Sequence, residues 1–238
     1  MMELRFIFHS SFLVTLSECY LLFDYYQGDI PELDPEKPLL VFASHQHYDH
    51  FSPVIFHLLL KYPKCEFILS DDISQETVDA ALRELGQTAR IHWVREGDVL
   101  RIGDVHVDAL PSTDVGVSYL VQTVEKLFFH AGDLNAWLWP NVPRSKNEEM
   151  RKAFLAALDT LCRKLDGKAL DAAFFPLDPV MGDACYEGPV AFLERISVKH
   201  FLPMHMWEQY SVEERFLTAY PKYKEIFCRI HGAGEQII

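Results

Sequence analysis

The sequence predicts an α/β (α+β) protein, with two β-sheets packed face to face and helices outside, as a single domain over residues 1–238. Three observations carry this expectation. Apolar runs of strand length recur in both halves of the chain, and each half also carries stretches with helical periodicity. Gly, Pro and Asp punctuate these segments at the spacing of turns. No internal repeat, low-complexity segment or linker interrupts the 238 residues, a length that one large domain fills.

Taken in order, residues 4–8 alternate and read as a strand. Residues 12–16 and 19–23 read as a hairpin closed at Ser17-Glu18. Gly28, Pro31, Pro35 and Pro38 make residues 25–38 a loop. The run Leu39-Leu40-Val41-Phe42-Ala43 is a buried strand, and Ser52-Pro53 starts a helix running to about residue 61. Residues 65–69 form a short strand, and residues 72–85 a helix stopped by Gly86. Strands follow at 91–94, 99–102, 105–110, 117–123 and 126–130, with hairpin turns at Gly97-Asp98, Gly103-Asp104 and Val124-Glu125.

Residues 134–146 are an aromatic, Pro-containing loop. Residues 147–165 carry the longest helical pattern, with Met150, Phe154, Leu158, Leu161 and Leu165 on one face. Its acidic start and basic end suit the helix dipole. A strand at 172–175, a loop at 176–188, a helix at 189–196, a strand at 200–203, a helix at 212–220 and a last strand near 224–229 complete the chain.

With 49% hydrophobic and 24% charged residues, the composition is that of a soluble globular protein. A net charge of −13 argues against nucleic acid as a partner, because phosphate binding needs a basic footprint. Cys19, Cys65, Cys162, Cys185 and Cys228 are scattered and form no Cys-x-x-Cys pair, so neither a disulfide framework nor a thiolate zinc site is expected. The start of the chain lacks a basic region followed by a long apolar run, and no run approaches the ~18 residues of a membrane span. The expectation is a cytoplasmic protein acting on a small molecule, with no membrane partner; the oligomeric state is left open.

The stretch Ser44-His45-Gln46-His47-Tyr48-Asp49-His50 carries the chemistry. It lies between a buried strand and a helix start, where open α/β sheets place their ligand sites. Imidazole and carboxylate are the donors that suit Zn²⁺ and its first-row neighbours. In an extended backbone His45 and His47 point the same way, and Asp49 and His50 lie just beyond, placed for a second ion. Three further strand ends carry ligand-type residues: Ser112-Thr113-Asp114, Gly132-Asp133 and Met204-His205.

His-x-His-x-Asp-His after an apolar strand resembles the signature of the metallo-β-lactamase-fold hydrolases, and the resemblance extends over nearly the whole chain. Asp24 matches the family's early aspartate at a strand end. His45, His47, Asp49 and His50 match the main motif, Asp133 the bridging carboxylate and His205 the final histidine. The branch most similar is that of the L-ascorbate-6-phosphate lactonase-like proteins, in which a His-Ser-Ser-Phe-Leu run, here His9 to Leu13, is common. The resemblance implies a four-layer αβ/βα sandwich with a binuclear metal site, holding Zn²⁺ as the first choice and Mn²⁺ or Fe as alternatives.

One position departs from the pattern: Asp114 stands near where the family has a histidine. If Asp114 is a ligand, the first ion sees His45, His47, Asp114 and Asp133, and the second Asp49, His50, Asp133 and His205. Otherwise Asp114 supports a ligand or caps a turn. With three aspartates and a bridging hydroxide, two divalent ions are neutralised, where two aspartates leave one positive charge. That weakens the Lewis acid and shifts preference toward harder ions. His130 is either a packed strand-end histidine, a hydrogen-bond partner of the ligands or an alternative ligand.

The implied function is a metal-dependent hydrolase of the lactonase or phosphodiesterase type. It uses a metal-bridging hydroxide on a small ester, lactone or phosphodiester, with Asp49 orienting the hydroxide and moving the proton. The alternatives are a non-catalytic metal-binding sensor or scaffold of the same fold and an iron-using redox member; a covalent Ser or Cys mechanism lacks a visible triad. His9, Tyr48, Trp137, Trp139, Asp178, Tyr186, Trp207 and Tyr210 are the expected substrate-pocket residues. No Gly-rich phosphate loop is present, and Arg144 and Lys146 are the exceptions to a scarcity of cations in the site loops.

Overall fold

A computed structural model describes residues 2–238. The chain divides into two compact units. The first runs up to Arg95 and takes in His231–Ile238; the second is Glu96–Ile230.

The first unit holds a six-stranded sheet in sequence order: β1 (Glu3–Phe8), β2 (Ser11–Thr15), β3 (Tyr20–Phe23), β4 (Leu39–Ala43), β5 (Cys65–Ser70) and β6 (Arg90–Val94). β1, β2 and β3 pair antiparallel, and β3 through β6 pair parallel. β4 lies inside the parallel half and is buried along its whole length, which is why it reads as an unbroken apolar run rather than an alternating one. Its Phe42 stacks on Phe23 with ring centroids 4.7 Å apart. Helix α1 (Gln75–Leu85) starts at Ser74, whose hydroxyl accepts the Thr77 N–H, and ends at Gly86 in the left-handed conformation that a side chain would strain.

The outer edge of β1 is covered by the last residues of the chain. Leu4 N–H donates to Ile238 O and Phe6 N–H to Glu235 O, at 3.1 and 2.9 Å. Arg5 adds a guanidinium hydrogen bond to Gly234 O at 2.6 Å.

The second unit holds a second six-stranded sheet, with β7 (Val99–Ile102), β8 (Val105–Pro111), β9 (Val117–Gln122), β10 (Leu127–His130), β11 (Leu170–Pro176) and β12 (Val198–Met204) as neighbours in sequence order. β7 through β10 are antiparallel and β10 through β12 parallel. Helices α2 (Arg144–Leu165), α3 (Glu187–Arg195) and α4 (Ser211–Ala219) belong to this unit. Phe192 of α3 packs on Phe175 of β11 and Phe129 of β10, at 4.7 and 5.7 Å between centroids. Among the described residues no helix is long and apolar enough to cross a membrane.

The structure corrects several expected elements. Residues Pro53–Leu60 form a 3-10 helix, not an α-helix; periods of 3.0 and 3.6 are hard to tell apart over two turns. Gly97-Asp98 does not close a hairpin, because β6 and β7 lie in different sheets; both residues bond Ala109 of β8 instead. The expected loop at 176–188 contains a 3-10 segment, Pro179–Tyr186. The expected strand near 224–229 is absent. Pro221–Tyr223 is a 3-10 turn, and residues 224–229 form one isolated parallel bridge, Phe201 to Phe227, in place of a strand. The apolar residues there pack by ring contact, Phe227 on Phe216 at 5.4 Å, and not through a ladder.

Candidate functional site

In the first unit the His-rich stretch leaves the C-terminal end of β4, beside Asp24 at the end of β3. Asp24 is fully buried and organises the loop. Its carboxylate accepts the Ser44 N–H at 2.7 Å, the Ser44 hydroxyl at 2.7 Å and His50 Nδ1 at 2.7 Å. An ionised carboxylate can only accept, so His50 Nδ1 carries a proton and the lone pair is on Nε2. The single hydroxyl proton of Ser44 is given to Asp24, so its contact with His45 Nδ1 at 3.0 Å makes His45 the donor. Nε2 of His45 therefore also presents a lone pair. That nitrogen lies 3.0 Å from His47 Nδ1. Two ring nitrogens so close need either a proton or a cation between them.

Asp49 and His9 complete this edge. His9 Nε2 is 3.3 Å, and His50 Nε2 3.9 Å, from Asp49 Oδ2. Burial acts to raise the Asp49 carboxyl, but hydrogen bonding, first of all from His9, outweighs it and lowers it to about 2. The side chain is thus a carboxylate at any working pH. His45, Asp49 and His50 are buried and His47 is exposed; Tyr48 points to solvent, 71% exposed.

In the second unit the donors come one from each of several strand ends. Gly132 turns the chain after β10 with φ of 53°, a left-handed step that glycine takes without strain, and Asp133 follows. His130 Nδ1 accepts the Gly132 N–H at 3.2 Å, and its ring packs on Phe174 at 5.8 Å, so it is a buried strand-end histidine that shapes this turn. After β12, His205 Nδ1 donates to Asp178 Oδ2 at 2.9 Å, which turns Nε2 toward Asp133 Oδ1 at 3.6 Å. Both facing atoms are electron-rich in these tautomers, an arrangement that a cation stabilises. Asp178 also accepts from the Trp207 indole at 3.2 Å and from Val180 N–H at 2.8 Å.

Asp114 is exposed, on the turn after β8. Thr113 pins that turn: its hydroxyl donates to Asn135 O at 2.6 Å and accepts Asn135 N–H at 2.9 Å. Carboxylate oxygens of Asp114 and Asp133 fall within 4.8 Å of each other, inside one ligand sphere. Asp114, Asp133, Asp178, His205, Trp137, Trp139 and Trp207 together line one cavity of about 440 Å³. Of the other expected pocket residues, Tyr186 packs its ring on Phe216 and Tyr220, and Tyr210 starts α4; neither lines this cavity. Sequence reasoning did not place Thr113, Met150 or Val180 in the pocket, which they do line, or give a role to Asn147, which clamps the Trp139 backbone through both amide atoms at 3.1 and 2.9 Å.

Three buried imidazoles, His45, His50 and His205, thus share one device. Each gives Nδ1–H to an oxygen behind it and directs Nε2 forward, the support that metal-binding histidines require. The donor set fits a divalent cation of the Zn²⁺, Mn²⁺ or Fe type. Backbone strain gathers at the same places. Among the described non-glycine residues, positive φ occurs at His9, Asp24, His205, Trp207 and Glu208, all at these strand ends, and otherwise only at Asp166. The thiols take no part: burial raises all five cysteines, Cys19 and Cys185 to about 12, so none offers a thiolate near neutrality.

A mixed parallel and antiparallel fold with His and Asp donors at its strand ends is the plan of metal-dependent hydrolases. The chain belongs to the β-lactamase superfamily: the model of the beta-lactamase superfamily domain matches residues 3–172. No curated protein matches it. Among solved structures it is similar to Igni18, a metallo hydrolase from the archaeon Ignicoccus hospitalis, at 16% identity over 99% of this chain and 97% of that one, with a TM-score of 0.65. It is similar to a possible metal-dependent hydrolase from Veillonella parvula at 13% identity over 100% and 99% of the two chains, TM-score 0.61. CmlA, a diiron β-hydroxylase from Streptomyces venezuelae, matches at 13% identity over 97% of this chain and 53% of its own, TM-score 0.60. These likenesses give the fold, which is that of the metallo-β-lactamase superfamily as the sequence motif implies.

Proposed function

We propose that this protein is a metal-dependent hydrolase of a small ester, lactone or phosphodiester. The observation that carries the proposal is the shared support of His45, His50 and His205, in which an oxygen behind each ring fixes the ligand tautomer. The ligands are His45, His47, Asp49 and His50 in the first unit and Asp114, Asp133 and His205 in the second. When bound, two divalent ions supply an activated water at neutral pH and a Lewis acid for the bond attacked. The chain does the rest. Asp24 and Asp178 hold imidazoles in register. Asp49, ionised and hydrogen-bonded by His9, accepts a proton from the attacking water and passes it to the leaving group.

A second reading, a metal-binding protein without turnover, draws on the exposure of Asp114, which stands where the family's pattern has a histidine. One experiment separates the two. Metal content per chain is measured by elemental analysis for wild type, Asp114→Ala and Asp49→Ala, each assayed against a panel of lactones and phosphodiesters. The hydrolase reading expects about two equivalents of metal, falling toward one in Asp114→Ala, and a loss of turnover of roughly a hundredfold or more in Asp49→Ala. Metal bound by wild type with no turnover of any panel member would leave the binding protein. No metal after reconstitution would sink both.

A further inference from the structure

We propose that the cavity walled by Trp137, Trp139 and Trp207 receives a flat, uncharged aromatic substituent of the substrate. The inference rests on the hydrolase reading above and specifies what that hydrolase acts on. The same cavity that is lined by Asp133 and His205 is lined by the three indoles and by Met150 and Val180. A substituent held there is therefore attached to a group lying beside the candidate donors.

The walls are rigid. Trp137 Nε1 donates to Asp133 O at 2.7 Å, and Trp207 Nε1 to Asp178 at 3.2 Å. The Trp139 backbone is clamped by Asn147. The Trp137 and Trp139 rings stack within 7° of parallel at 6.2 Å between centroids, so each supports the other as an apolar wall of the cavity. His205 meets the edges of Trp137 and Trp207 at 5.5 and 5.2 Å. A ligand stacking on surfaces already fixed loses little to ordering them. The thioether of Met150 adapts to the shape of a ring edge.

Charge selects among occupants. No Lys or Arg lines the cavity, so an anionic substituent finds no side-chain counter-charge there. Lys146, on the adjoining cavity shared by Trp137 and Trp139, is held 2.9 Å from Glu149. A cation gains little either. Asp178 already accepts from His205, Trp207 and Val180, and Asp114 and Asp133 are committed as ligands. The rim is apolar and open: Val180 is 60% exposed and Trp207 39%, with Val142 of the adjoining cavity at 37%. Exposed apolar groups gathered on one rim mark a surface that a ligand covers.

The test uses the metal-reconstituted full chain. Calorimetry compares 2-naphthol with 2-naphthalenesulfonate and 2-naphthyltrimethylammonium, which share the ring and differ in charge. In parallel, kcat/KM is measured for γ-phenyl-γ-butyrolactone and for γ-valerolactone, and the ratio is compared between wild type and Trp139→Leu, so that intrinsic reactivity cancels. The proposal expects 2-naphthol to bind tightest. It expects both its affinity and the phenyl-to-methyl ratio to fall about three- to tenfold in Trp139→Leu, with recovery in Trp139→Phe. Tightest binding by the sulfonate or the ammonium overturns it, as does a ratio and an affinity unmoved by Trp139→Leu. If 2-naphthol binds and Trp139→Leu weakens it while neither lactone nor any phosphodiester turns over, the cavity assignment stands and the hydrolase reading falls. If lactones turn over with no aromatic preference and no naphthol binding, the reverse holds.

Discussion

In the first unit the candidate donors crowd one loop, with His45, His47, Asp49 and His50 all following β4 and His9 following β1. In the second they are dispersed, Asp114 after β8, Asp133 after β10, Asp178 after β11 and His205 after β12. The supports differ accordingly. Asp24 serves a whole loop, taking a backbone N–H, a hydroxyl and an imidazole. Asp178 serves the His205 ring, one indole and its own helical turn. A crowded loop can be organised from one buried point, whereas dispersed donors need support strand by strand. The first arrangement ties ligand geometry to the stability of the fold; the second leaves the two separable.

The largest expected effects test that difference directly. Asp178→Asn should weaken metal affinity by about ten- to a hundredfold, because His205 loses the acceptor that fixes its tautomer, with a smaller loss of stability than Asp24→Asn, since Asp178 holds one candidate donor and Asp24 a loop of four. Asp24→Asn should weaken affinity by a similar factor and also destabilise the protein by about 1–3 kcal/mol, since a buried donor is left unmatched. Metal titration and denaturant unfolding of both variants read the two quantities. Equal destabilisation by the two substitutions would break the comparison.

A smaller effect concerns a carboxylate of the second unit remote from the donors. Burial acts to raise Asp171, but hydrogen bonds from Lys199, the Leu127 N–H and Lys126 overcome it and hold the carboxyl below its ordinary range. A depressed folded-state pKa contributes stability that is present above the unfolded value, near 4, and is lost as the pH falls through the folded one. The stability gap between wild type and Asp171→Asn should therefore be widest near neutrality and shrink below about pH 4. Urea unfolding across that range measures it. A gap that widened toward acid would refute the assignment.

The smallest effect uses the strained backbone. Asp166 ends α2 with φ of 48°, and it has no donor to position. Asp166→Gly should stabilise by about 0.5–1 kcal/mol, a modest rise in Tm. At His205, which has a similar φ of 63°, the same exchange removes a ligand, and metal affinity should be lost. Relief of strain would thus be gained where the chain only turns and forfeited where it presents a donor.

Much of this was legible in the sequence, for identifiable reasons. β4 announced itself because a parallel strand covered on both faces must be apolar throughout, and a loop with His45, His47, Asp49 and His50 behind it has few other uses. Asp133 and His205 could be read only through their positions after apolar runs. What escaped depends on contacts remote in sequence. Met150 sits on the helical stripe of α2 and reads as core, yet it lines the cavity. Asn147 marks no helix start, because α2 begins at Arg144; its amide goes to Trp139 instead. The absent final strand failed for the same reason. Phe227 satisfies its hydrophobicity through Phe201 and Phe216, which periodicity along the chain does not register.

The pairing of β1 with residues 231–238 sets the order of events during synthesis. β1 is an edge strand whose outer partner, residues 231–238, is made long after it. At typical elongation rates of ~5–20 residues per second, β1 waits roughly ten to fifty seconds for that partner. Through this interval its outer N–H and C=O groups are a template for any extended chain nearby. The second unit, contiguous in sequence, can fold as it emerges. The first cannot close before translation has passed residue 230, so the His-rich loop that carries most of the candidate donors belongs to the later-maturing of the two units.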